Sequence, residues 1–82
     1  MKGFFKLAKN EYIRARKKYP KFHSTHEGIA VIQEEVDELW EMVKKNKGIM
    51  IEDGNPLMIK ECIQIAAMAY AFIKDLGNIN EL

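Results

Sequence analysis

Cysteine, proline and glycine are all scarce in this chain of 82 residues, which has one Cys, two Pro and five Gly. The single cysteine, Cys62, excludes an internal disulfide and fits a reducing compartment, so a cytoplasmic protein is expected. With few helix breakers and 48% hydrophobic residues, the expected class is all-α. The N-terminus lacks a signal-peptide layout, because Phe4-Phe5 is followed at once by Lys6. The longest unbroken apolar run, Ile65 to Ile73, is nine residues. A bilayer span takes about 20, so no membrane partner is expected. Zinc is disfavoured as well, since one Cys and two His have no ligand spacing. A chain of this length makes one domain, residues 1–82, near the lower limit for an independently stable core.

What is present is charge, and it is unevenly placed. Residues 1–21 carry eight Lys or Arg against Glu11 alone, for a net charge of +7. Residues 22–82 carry five basic and eleven acidic groups, for −6. A basic arm and an acidic body suit phosphate and a cation respectively. No nucleic-acid-binding motif accompanies the basic residues, so nucleic acid is not an expected partner.

The chain reads as three helices. Residues 3–18 form the first, with Phe4, Leu7, Ala8, Tyr12 and Phe5 on its buried side. The cations from Arg14 to Lys18 suit a helix C-terminus, and Pro20 stops the helix. Those cations serve either as a solvated, dipole-complementing face or as contacts for a triphosphate or another polyanion. Ser24-Thr25-His26-Glu27 has the S-x-x-E form of a capping box, so a second helix is expected from Thr25 to about Lys45. Gly48 to Pro56 is an apolar connection that is expected to pack as a flap. The third helix runs from about Pro56 to Leu76, is capped by Gly77 and is followed by a tail over residues 77–82.

The second helix holds the organising stretch, Gln33 to Glu41, in which five of nine residues are acidic. At about 100° per residue, Ile29, Ile32, Val36, Leu39, Trp40 and Val43 share one face. Glu35 falls between Met42 and Leu39 on that wheel, and Glu38 falls beside Val31. Glu34, Asp37 and Glu41 point towards water. A carboxylate on an apolar face is costly unless something positive compensates it. On the third helix only Gln64 is polar from Cys62 to Ile73, so burial on more than one side, and hence a partner subunit, is expected. Glu61 and Gln64 repeat there the one-turn spacing of Glu35 and Glu38. Two such pairs converge when the helices pack antiparallel. Clustered oxygen ligands call for a hard divalent cation, Mg²⁺ first and Mn²⁺ second.

These residues carry a resemblance. Glu34-Glu35-Val36-Asp37-Glu38, a gap of 22 residues, then Glu61-Cys62-Ile63-Gln64 is similar to the E-E-x-x-E and E-x-x-D pattern of the all-α nucleoside triphosphate pyrophosphohydrolases. These are the MazG-like proteins and their dimeric dUTPase relatives. His26-Glu27-Gly28 and Gln64-Ile65-Ala66-Ala67-Met68-Ala69 look like small phage-type and prokaryotic members. The resemblance spans about Thr25 to Leu76. It implies cleavage of a nucleoside triphosphate to a monophosphate and pyrophosphate, in a homodimer or homotetramer. It implies Mg²⁺ on Glu35, Glu38, Glu61 and position 64. It also gives catalytic roles to Glu38 and to Glu34, the latter as an outer ligand or a positioner of the attacking water. Candidate substrate-binding residues are Lys60, His26, Arg14 and Lys18.

Gln64 departs from the pattern, because it offers a neutral carbonyl where the family has aspartate. The overall expectation is an antiparallel bundle of three main helices with a four-helix core completed by dimerisation. Two rival functions stand beside the enzyme. One is a non-catalytic oligomeric or nucleotide-binding module that keeps the scaffold. The other is a polyanion-binding protein using residues 2–21.

Overall fold

A computed structural model describes residues 2–45 and 56–77 of the chain. These form three α-helices, α1 (Lys2–Lys18), α2 (Thr25–Lys45) and α3 (Pro56–Leu76), with no strand among the described residues. The expected flap and the last residues of the expected tail lie outside them.

The helix ends follow from local chemistry. Tyr19 N–H donates to the Ala15 carbonyl at 2.8 Å, one bond past α1, before Pro20 halts the ladder. Ser24 caps α2, its Oγ accepting from Glu27 N–H at 3.1 Å. The Glu27 carboxylate reaches back to His23 N–H at 2.9 Å, one residue earlier than in the usual reciprocal box. Pro56 opens α3, where its missing N–H costs nothing.

Helices α1 and α2 each pack against α3, and among the described residues their backbones do not approach one another. The apolar circumference of α3 is thereby used from two sides within a single chain. A third side, through Ile59, Cys62, Ala69 and Ile73, stays exposed. Helix α3 is also long and apolar enough, by length and composition, to cross a membrane, with a mean hydropathy of 1.4. The nine-residue run missed this because charged interruptions such as Lys74 do not lower a window average much. Within the chain 22% of that apolar window is buried, and Glu61 lies among the buried positions of the helix.

Burial follows a narrow strip on each outer helix. On α2 it runs through Gly28, Val31, Ile32, Glu35, Leu39, Met42 and Val43. Ile29, Val36 and Trp40, expected on the buried face, are exposed, Trp40 at 55%. The reason is geometric: α2 has a single helix to pack on, so half of its broad apolar face stays outside the contact. Leu7 and Phe5 are exposed on α1 for the same reason, while Phe4, Ala8, Glu11, Tyr12, Ala15 and Arg16 are part-buried. Among the described residues the buried apolar side chains are only Met58, Ala67 and Ala71.

Gly28 sets the seam between α2 and α3. A Cβ there would lie 2.5 Å from Phe72 Cδ2 and 3.3 Å from Phe22 Cδ2, so only glycine lets these rings close on the helix. A polar hub sits beyond this seam. Asp75, with its side chain 4% exposed, accepts from Arg16 Nη2 at 3.0 and 2.8 Å and from Phe22 N–H at 2.8 Å. Arg16 also lies over the Tyr12 ring, 5.1 Å from its centroid, and Tyr12 meets Tyr70 edge to face at 4.6 Å. One buried carboxylate thus joins α1, the connector and α3.

Candidate functional site

Glu35, Glu38 and Glu61 converge. One carboxylate oxygen from each lies within 4.8 Å of the others. Helix α2 supplies two of them from adjacent turns, and α3 supplies the third from a buried position. Glu61 is 6% exposed, Glu35 is half-buried and Glu38 is exposed at the rim. Of the two α2 carboxylates expected on the apolar side, Glu35 is inside the helix contact and Glu38 is at its edge.

The cluster is electrostatically incomplete. Glu35 Oε2 and Glu61 Oε2 are buried and have no hydrogen-bond partner. All three carboxyls are held above the ordinary glutamate range. Burial is the main cause for Glu61, reinforced by its contact with Glu35 and opposed by Glu38 and Lys60. Burial also leads for Glu35, where sharing a proton with Glu61 works downwards and the charges of Glu38, Glu34 and Glu11 work upwards. For Glu38 the contact with Glu61 leads, and Lys60 opposes it. Like charges that cannot all ionise hold protons when nothing positive joins them. Three oxygen donors on two packed helices, two of them with orphaned buried oxygens, fit a hard cation such as Mg²⁺ or Mn²⁺.

Beside the cluster a groove of about 500 Å³ opens between α1 and α2 over α3. Its α2 wall carries Glu27, Glu34 and Glu35, its α1 wall Glu11, Tyr12, Arg14, Arg16 and Tyr19, and its floor includes Gln64 and Met68. Cationic and aromatic groups thus face the acidic ones across a space of the size that holds a small molecule. Glu34 is exposed at the groove wall, next to Glu35. Gln64 is half-buried in the floor, one turn from Glu61. Lys60 is exposed and its charge is felt by both Glu38 and Glu61.

The remaining candidates from the sequence are placed differently. Arg14 lines the groove but is engaged by Glu11, through Nε at 3.0 Å and Nη2 at 2.5 Å. Lys18 lies over the Tyr19 ring, 5.4 Å from its centroid, and does not line the groove. His26 is exposed in the first turn of α2 and is not in the groove lining. Sequence reasoning did not place Glu11 or Tyr12 at the site, and Arg16 entered it only within the run of cations from Arg14 to Lys18. The available signal was Glu11 itself, the lone acid of a basic helix, at the spacing of Ala8, Tyr12 and Ala15.

Comparison with protein-family models, curated proteins and solved structures finds no match for this chain.

Proposed function

We propose that this protein is a divalent-cation-dependent nucleoside triphosphate pyrophosphohydrolase of the MazG-like kind. The observation that carries the reading is Glu61: a carboxylate with an orphaned buried oxygen, gathered with Glu35 and Glu38 beside a groove that Glu35 lines and whose far wall carries Arg14 and Arg16. Burying such a group is tolerable when a cation occupies the cluster. Glu35, Glu38 and Glu61 would hold Mg²⁺ or Mn²⁺, which when bound neutralises charge developing on the phosphates and acidifies a bound water. Arg14 contacts the phosphates from the α1 wall, Lys60 adds positive charge beside the cluster, and Tyr12 and Tyr19 offer apolar surface to the base. Glu34, at the groove wall, accepts the proton of the attacking water. The water oxygen bonds to phosphorus, the bridge between the α and β phosphates breaks, and pyrophosphate leaves with the bridging electrons.

The working form in this proposal is a homodimer or homotetramer with an antiparallel four-helix core. Its support is the exposed stripe of Ile29, Val36 and Trp40 on a chain with only three buried apolar residues among those described. A soluble cytoplasmic setting fits this scheme.

Pyrophosphate release from a panel of NTPs and dNTPs with Mg²⁺ or Mn²⁺ tests the activity. Wild type is expected to turn over at least one of them, and Glu38→Gln to fall to background while keeping its helical circular dichroism. Equal activity in both proteins would sink the assignment. Gln64 favours a second reading, an oligomeric module that binds nucleotide without cutting it. Under that reading wild type is silent towards every nucleotide yet still binds one in equilibrium dialysis.

A further inference from the structure

Each of the three helices places a glutamate on its packed strip: Glu35 on α2, Glu61 on α3 and Glu11 on α1. Glu11 is the only acid among residues 1–21. Its side chain is 18% exposed, against 58% for its partner Arg14. Glu11 lines the groove together with Glu34, Glu35 and Gln64. It also lines a neighbouring hollow with Lys60 and Ile63, which sets it opposite the turn of α3 that runs from Lys60 to Gln64. At that turn Gln64 is neutral. Glu61, nine-tenths buried with an unpartnered oxygen in the cluster, is an independent sign that a positive charge belongs there.

We propose that Glu11 supplies, from α1, the negative charge at the carboxylate cluster that the neutral Gln64 leaves out. The site is then completed by all three helices. This inference rests on the cation-site reading above. Its charge reaches Glu35 across the groove. Being mostly exposed, Arg14 can leave Glu11 and follow a polyphosphate, while the more buried Glu11 stays on the groove wall. The Glu11–Arg14 pair thereby serves as a holding state for both groups. A carboxylate acting on a cation through space, without touching its ligands, changes binding by roughly a few-fold to tenfold.

Mn²⁺ alone, without nucleotide, is the probe, with binding read by electron paramagnetic resonance of the free ion. Wild type, Glu11→Gln, Gln64→Asp and the double variant are compared. Glu11→Gln is expected to weaken Mn²⁺ binding by roughly a few-fold to tenfold, and Gln64→Asp to restore it in the double variant. Arg14→Gln, which breaks the ion pair but keeps the Glu11 charge, is expected to bind Mn²⁺ at least as tightly as wild type. Should Glu11→Gln fail to fold by circular dichroism, Glu11→Met replaces it as an apolar side chain of similar length. Either folded neutral variant binding Mn²⁺ like wild type would overturn the inference and leave the cation site standing. Arg14→Gln losing as much affinity as Glu11→Gln would also overturn it, since Glu11 would then act only through Arg14. A wild type that binds no Mn²⁺ would overturn both this inference and the proposal on which it rests.

Discussion

Helix α3 buries two carboxylates, and they are treated in opposite ways. Asp75 has its charge answered by Arg16 and its lone pairs taken by Arg16 and Phe22 N–H. Glu61 is buried to a similar degree and meets two more carboxylates, keeping one oxygen unpartnered. A satisfied buried charge ties elements together, whereas an unsatisfied one is a standing cost that a ligand removes. The two ends of one helix thus differ: the fold satisfies one buried carboxylate and leaves the other short of a partner.

The sharpest way to break this comparison is to remove each carboxylate in turn. Asp75→Ala should cost about 3 kcal/mol in urea unfolding, because it strands the half-buried Arg16 guanidinium and the Phe22 amide. A loss below the error of the measurement would mean that the hub does not organise the α1–α3 contact. Gly28→Ala should cost less, roughly 1–2 kcal/mol, as the new methyl displaces the Phe72 and Phe22 rings. Its helix-propensity gain of about 1 kcal/mol offsets only part of that.

Glu61→Gln should move the other way. In metal-free buffer it replaces a buried carboxyl crowded by two others and gives Glu35 an amide donor. Its melting temperature should therefore rise, on the order of a few degrees, whereas a fall would mean that Glu61 is already compensated. The smallest effect is in pH. Glu35, Glu38 and Glu61 are all raised in the folded state, so the folded protein keeps protons that the unfolded chain releases. Metal-free stability should then fall as pH rises from the ordinary glutamate range through the raised values, and level off above them. Glu61→Gln should flatten that slope, and an unchanged slope would place the pH dependence elsewhere.

The helices and the acidic pairing were legible in the sequence because both depend on neighbours along the chain. Pro20, the Ser24–Glu27 cap, Pro56 and Gly77 mark the helix ends. The i, i+3 glutamates on an apolar wheel announced that Glu35 and Glu61 would be gathered. What was not legible depends on which side of α3 each outer helix takes. That choice exposes Trp40, brings Arg16 to Asp75 across 59 residues and turns Glu11 into the groove. A helical wheel ranks positions by hydrophobicity, so it placed Trp40 inside and could not select a lone glutamate on a basic helix.

The most direct test of the central claim is the melting temperature with and without saturating Mg²⁺ or Mn²⁺, for wild type and Glu61→Gln side by side. A ligand bound only by the folded state stabilises it by about 2.7 kcal/mol at a hundred times its Kd. The account predicts a clear rise for wild type and none for Glu61→Gln. No rise in wild type, or the same rise in both proteins, would contradict it.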